Sequence, residues 1–335
     1  MSSFEVIGGK ALKGNITPQG AKNEALQILS AVVLTAEPIT ISNIPDIVDV
    51  NLLIELLEAM GVSVEKLKEG EYRFQADKID PSYLASDDFK TKSGRLRGSV
   101  MLAGPILARY KKAYLPKPGG DKIGRRRLDT HIIGFEKLGA TYAYDEKIAC
   151  FTLTADKLVG TYMLLEEPSV TGTANIVMAA VLAEGITSIY NAACEPYVQQ
   201  LCLLLNNMGA KITGIGSNLL RIEGVTKLGT ATHRILPDMI EIGSFIGLAA
   251  MTKSEITIKN AGVAHLGIIP EKFRLLGINF TIKGDDIYIP AQDIYEIQTF
   301  MDGGILTIYD NPWPGFTPDL LSIILVTAIQ ARGSV

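Results

Sequence analysis

What restricts the fold most is that the chain repeats itself. Segments 39–64 (ITISNIPDIVDVNLLIELLEAMGVSV), 188–212 (SIYNAACEPYVQQLCLLLNNMGAKI) and 256–280 (ITIKNAGVAHLGIIPEKFRLLGINF) share one order of parts. Each has a short alternating strand, an Asn, a loop, a helix, a Met-Gly or Leu-Gly stop and a second strand. A fourth copy, 127–144, follows a divergent loop. The stop glycines Gly61, Gly139, Gly209 and Gly277 lie 78, 70 and 68 residues apart. A glycine just past a helix end supplies the left-handed residue that ends the helix. In the first copy Val50, Leu53, Leu56, Leu57 and Met60 make one apolar face.

An Ala-rich helix, apolar on most sides, precedes each copy, over 21–36, 94–110, 171–185 and 237–252. A helix of that kind belongs in an interior. The module is therefore helix, strand, helix, strand, strand, and spans about 70 residues, with one buried and one amphipathic helix. A fifth buried helix is expected over 318–331, after which the chain stops at ARGSV. Two complete three-module domains would need on the order of 100 further residues. The expectation is a C-terminally truncated chain; the alternative is a true end capped by the last helix.

At 335 residues the length suits about two domains. Lys plus Arg is 32 and Asp plus Glu 36, for a net charge of -4, which argues against a general nucleic-acid binder. Any anionic ligand must then meet local cations. No apolar run approaches the roughly 18 residues of a membrane span, and the start, MSSFEVIGGKALKG, has no apolar signal core. Cys150, Cys194 and Cys202 lack CxxC spacing, which fits buried thiols in a reducing cytoplasm. Three scattered histidines argue against a His-based metal site.

Two of the buried helices open with cations, where the positive helix end should repel them. The first begins Gly20-Ala21-Lys22-Asn23 and the second Lys92-Ser93-Gly94-Arg95-Leu96-Arg97. A bound anion would make both arrangements favourable; the alternative is that the side chains curl into solvent. The stretch Lys117–Arg127 adds three glycines and three arginines suited to phosphate or carboxylate, without Walker spacing. A solvated basic turn is its plain alternative, with Asp121 a turn former. Thr317-Pro318-Asp319 reads as an ordinary helix start, with Asp238 in the matching place one module earlier. Cys194 and Glu195 read as loop residues.

Several of these segments together resemble the UDP-N-acetylglucosamine enolpyruvyl transferase (1-carboxyvinyltransferase) family. They are Gly20-Ala21-Lys22-Asn23, Pro118-Gly119-Gly120-x-x-Ile123-Gly124, Leu128-Asp129-x-His131, Ala192-x-x-Glu195-Pro196 and the Pro318-Asp319 helix start. The likeness runs in order over essentially the whole chain. It implies an α/β fold of inside-out α/β barrel domains built from such modules, as in EPSP synthase, with the active site in the cleft between two domains. The domains would be 22–232 and 1–21 plus 233–335, the second holding about one and a half of three modules.

The resemblance also implies roles. Lys22, Arg97 and Arg126 would grip the phosphate and carboxylate of phosphoenolpyruvate, and Asn23 would touch the sugar. Arg126, Arg127, Leu128, Asp129 and His131, with Ser169, Val170 and Thr171, would line the uridine diphosphate site. Asp319 would be the base beside the sugar 3′-hydroxyl. Asp121 stands where most of the family has a reactive cysteine. An acid there can protonate the enolpyruvyl methylene if its pKa is raised, but nearby arginines act the other way. The implied reaction is enolpyruvyl transfer in peptidoglycan synthesis in a bacterial cytoplasm, with no cofactor, metal, nucleic acid or membrane involved. The competing readings are a non-catalytic UDP-sugar-binding homologue and an EPSP-synthase-like acceptor preference.

Overall fold

A computed structural model describes residues 3–116, 128–146 and 150–335. Internal contacts divide the chain into two units, residues 1–19 with 237–335, and residues 20–236.

Strand β1 (Lys13–Ile16) belongs to the first of these units. The second opens with helix α1 (Lys22–Ala31), extended by a 3-10 turn over Val32–Leu34. Strand β2 (Ile39–Ser42), helix α2 (Val48–Ala59) and strands β3 (Ser63–Lys68) and β4 (Glu71–Gln75) complete one module. A short helix, α3 (Asp87–Ser93), intervenes. The next module holds α4 (Ala103–Tyr110), β5 (Lys112–Pro116), α5 (Asp129–Lys137), β6 (Thr141–Asp145) and β7 (Cys150–Thr154). Strand β8 (Tyr162–Leu164) leads to the third: α6 (Val170–Ala180), β9 (Ile186–Tyr190), α7 (Pro196–Asn207), β10 (Lys211–Thr213) and β11 (Leu219–Glu223). After β12 (Ala231–Arg234) the fourth module has α8 (Met239–Met251), β13 (Glu255–Ile258), α9 (Ile269–Leu275), β14 (Thr281–Lys283) and β15 (Asp286–Ile289). Helix α10 (Leu321–Ala328) comes last.

Each module makes its own small sheet, and three of the four sheets take in an extra parallel strand. β12 pairs with β2, β8 with β9, and β1 with β13. The β12–β2 ladder returns the end of the 20–236 unit to its first sheet. Chain reversal after each amphipathic helix follows from Gly61, Gly139, Gly209 and Gly277, all with φ between +87° and +104°. The Asn that closes the first strand of three modules is also left-handed: Asn43, Asn191 and Asn260 have φ of 60°, 61° and 52°.

The apolar helices α1 and α6 lie inside the 20–236 unit, packed chiefly against other helices. Every residue of α1 from Glu24 onward is buried, as is every residue of α6 from Gly172 onward. Small residues let the interior helices approach closely. A Cβ on Gly104 of α4 would stand 2.3 Å from the Asn175 carbonyl oxygen of α6. In the other unit α8 takes Leu320 and Ile323 against Gly243 and Gly247, while α10 leaves Leu325 and Ile329 largely exposed.

Two local expectations need correction. The helix expected over 94–110 is a 3-10 segment, Arg97–Leu102, followed by α4. Pro105 has no N–H for the preceding turn, so that stretch cannot run on as a regular α-helix. Lys92 does not open a helix either. It lies in the last turn of α3, where a cation is favourable, and pairs with Asp88 at 3.0 Å. Helix α3 was not among the expected elements; Ser86 caps its Phe89 N–H in a Ser-Asp-Asp start.

Candidate functional site

The N-terminal turns of several interior and amphipathic helices carry most of the candidate residues. Lys22 and Asn23 are the first two residues of α1. The turn before them admits no side chain, because a Cβ on Gly20 would fall 1.8 Å from the Asn43 carbonyl oxygen. The Lys22 ammonium stands 3.7 Å from an Asp49 carboxylate oxygen, with both side chains nearly half exposed. The cation at this helix start also has company that the sequence reading missed. Glu24, in the same turn and fully buried, accepts from the Leu236 N–H at 3.2 Å and lies 2.8 Å from His233 Nε2. An acid in the first turn complements the helix end. It ties α1 to the segment just after β12. Glu24 is the only acid of α1, and its histidine partner lies 209 residues away in the chain.

Arg97 begins the 3-10 segment that packs on α1, where Leu26 lies against Gly98. It is partly buried and close enough to His131 to act on it electrostatically. His131 is the third residue of α5, after Leu128 at the N-cap and Asp129 at the first position. Helix α6 starts alongside, with Ser169 as N-cap accepting from the Gly172 N–H at 3.2 Å, then Val170 and Thr171. Two contacts bind the starts of α5 and α6 together. The Thr130 hydroxyl donates to Glu167 Oε1 at 3.3 Å, and His131 Nε2 lies 3.2 Å from the Thr171 hydroxyl.

The structure thus brings Arg97, Leu128, Asp129, His131, Ser169, Val170 and Thr171 into one neighbourhood. His131 differs from the rest in being 2% exposed, with both ring nitrogens engaged. Burial first, and the Arg97 guanidinium second, push its pKa down to about 4, so the ring is neutral at physiological pH. Two helix N-termini and one guanidinium supply donors suited to an anion, with the carboxylates of Asp129 and Glu167 at the same helix starts.

Asp319 lies in the other unit, exposed, at the second position of the 3-10 turn Pro318–Leu320, with Thr317 accepting its N–H at 3.4 Å. Asp238 differs from it in being the N-cap of α8, accepting from the Ile240 N–H at 2.8 Å. Asp121, Arg126 and Arg127 lie outside the described residues. The Cys194–Glu195 loop is anchored on α6 by the Ala193 N–H, which donates to Thr173 at 3.0 Å. Burial raises the Glu195 carboxyl above its ordinary range.

All three cysteines are buried free thiols. Burial pushes Cys150 up to about 11 and Cys202 up to about 12, and raises Cys194. The native protein is therefore expected to resist a thiol-alkylating reagent at neutral pH, with all three thiols reacting after denaturation. Rapid stoichiometric labelling of the folded chain would contradict this. Among the described residues no group of three His, Cys, Asp or Glu side chains could hold a metal ion, and no helix is long and apolar enough to cross a membrane.

The family model for EPSP synthase (3-phosphoshikimate 1-carboxyvinyltransferase) matches residues 6–333. The chain is 64% identical to the UDP-N-acetylglucosamine 1-carboxyvinyltransferase of Bacteroides thetaiotaomicron, over all of this chain and 77% of that protein. It is 61% identical to the protein of that name from Porphyromonas gingivalis, with the same coverage. Among solved structures, the enolpyruvyl transferase NikO from Streptomyces tendae superposes with a TM-score of 0.83 at 18% identity, covering 97% of this chain and 74% of that one. An EPSP synthase from Acinetobacter baumannii gives 0.63 at 17% identity, covering 97% and 71%.

Proposed function

We propose a function on the premise that this chain belongs to the EPSP synthase family, on its UDP-N-acetylglucosamine 1-carboxyvinyltransferase branch. The protein is an enolpyruvyl transferase. It moves the enolpyruvyl group of phosphoenolpyruvate to the 3′-hydroxyl of UDP-N-acetylglucosamine, a step of peptidoglycan synthesis. The observation that carries this reading is the meeting of Arg97 with the paired N-termini of α5 and α6. That face suits a nucleoside diphosphate, whose charges need several fixed donors at once.

In this mechanism Lys22, Arg97 and Arg126 hold the phosphate and carboxylate of phosphoenolpyruvate. Asn23 contacts the sugar, while Arg127, Leu128, Asp129, His131, Ser169, Val170 and Thr171 define the uridine diphosphate side. Asp319 takes the proton of the sugar hydroxyl as its oxygen adds to C2, and Asp121 delivers a proton to C3. The tetrahedral adduct then loses a C3 proton and inorganic phosphate, which restores the double bond. Fixed cations lower the barrier by opposing charge that develops on the phosphate and carboxylate. Both substrates belong to the bacterial cytoplasm, and we place the protein there.

The test is release of inorganic phosphate from phosphoenolpyruvate, with UDP-N-acetylglucosamine or shikimate 3-phosphate as acceptor. Turnover with the UDP-sugar alone is expected. Turnover with shikimate 3-phosphate alone would move the protein to the other acceptor class. Tight UDP-sugar binding with no phosphate released would make it a binding homologue without catalysis.

A further inference from the structure

Asn175 is the hub of a buried hydrogen-bond network in the 20–236 unit, and nothing in the proposed mechanism uses it. It sits on α6 with no exposed surface. Its Oδ1 accepts from the Gly104 N–H at 2.7 Å, and its Nδ2 donates to the Val100 carbonyl at 2.8 Å. The same Nδ2 lies 2.9 Å from His131 Nδ1.

These partners leave the amide one orientation. Turned over, its NH2 would face the Gly104 N–H, two donors together, and its oxygen would face the Val100 carbonyl, two acceptors together. A buried group in either mismatch loses its hydrogen bond and stays desolvated. With Nδ2 fixed toward the imidazole, Nδ1 can only accept. A proton on Nδ1 would meet the amide N–H head on, so neither the Nδ1–H form nor the imidazolium fits. The ring proton therefore resides on Nε2, which donates to the Thr171 hydroxyl 3.2 Å away. A hydroxyl that accepts in this way keeps its own hydrogen for another acceptor. Thr171 is exposed, at the second position of α6.

We infer that Asn175 locks His131 in the neutral Nε2–H form, and that this commits the Thr171 hydroxyl to donate outward, to an acceptor oxygen of the nucleoside diphosphate. Asn175 is thus a positioning residue that acts through His131. The second half of the inference rests on the functional reading above; the lock itself rests on the network alone. Arg97 is the charged group beside the ring, and it acts in the same sense by disfavouring a second positive charge.

The test uses the full chain with 15N-labelled histidine, and His131→Gln identifies the His131 signals among the three histidines. From neutral pH into the mildly acidic range, Nδ1 is expected to show the shift of an unprotonated nitrogen and Nε2 that of a protonated one. An Nδ1–H form or an imidazolium in that range overturns the lock. Thr171→Val is expected to weaken UDP-N-acetylglucosamine binding roughly tenfold, the loss of one hydrogen bond to a charged oxygen, with Thr171→Ser within about twofold of wild type. Equal affinity of Thr171→Val and wild type, with the expected imidazole spectrum, overturns the donor role. If the wild type binds no UDP-sugar at all, the functional reading fails together with that donor role. The imidazole spectrum then still decides the lock.

Discussion

Replacing Lys22 by Ala is expected to weaken phosphoenolpyruvate binding roughly 30- to 100-fold, the loss of one charge-assisted contact to phosphate. UDP-N-acetylglucosamine binding should stay within about threefold, and calorimetric titration of each ligand would separate the two. The reasoning begins with stability. The Lys22–Asp49 pair is 3.7 Å long and half exposed, and pairs of that kind contribute about 0–1 kcal/mol. An ammonium at the first position of α1 is also disfavoured by the helix end. Removing it should therefore leave the thermal midpoint almost unchanged. A binding loss without a stability loss marks a side chain kept for its ligand. Unchanged phosphoenolpyruvate affinity in Lys22→Ala would sink the assignment of this cation to the anion site.

The second large effect concerns the interior. Gly104→Ala is expected to destabilise the 20–236 unit by about 2–4 kcal/mol, from overpacking and a weakened buried hydrogen bond. The added Cβ would lie 2.3 Å from the Asn175 carbonyl oxygen and 2.4 Å from its Oδ1. Neither atom can move away cheaply. The first is helix backbone, and the second is held by the Gly104 N–H itself. At roughly 2–4 °C per kcal/mol for a unit of this size, thermal unfolding would show the change clearly. Gly229→Ala is the control: its Cβ would meet nothing nearer than the Met208 carbonyl oxygen at 3.6 Å, so a shift of under about 1 kcal/mol is expected. Equal midpoints for the two variants would mean that α4 and α6 are not tightly apposed.

The module order was readable because its signals are local. A stop glycine must take a positive φ wherever its neighbours go, and an Asn after a short strand tolerates the same conformation. Periodicity separated the interior helices from the amphipathic ones for the same reason. Helix boundaries are less legible where a single residue breaks the turn before it, as Pro105 does between the 3-10 segment and α4. Lys92 shows the risk of judging a charge by its sequence neighbours, since three residues decide whether it starts one helix or ends another.

The candidate site divides along the same line. Lys22, Arg97 and the Leu128–His131 and Ser169–Thr171 turns drew notice by residue type and by likeness to a family. Glu24 with His233 and Asn175 with His131 did not, because each pair is joined across 209 or 44 residues. From the sequence alone follow the repeating module, the inside-and-outside assignment of its helices and the family. These depend on hydrophobic period and backbone conformation, which a short window contains. Tertiary structure decided which helix starts lie side by side, which way the Asn175 amide faces and where the His131 proton resides. Hydrogen-bond direction is set by all partners at once, and here those partners come from three separate stretches of chain.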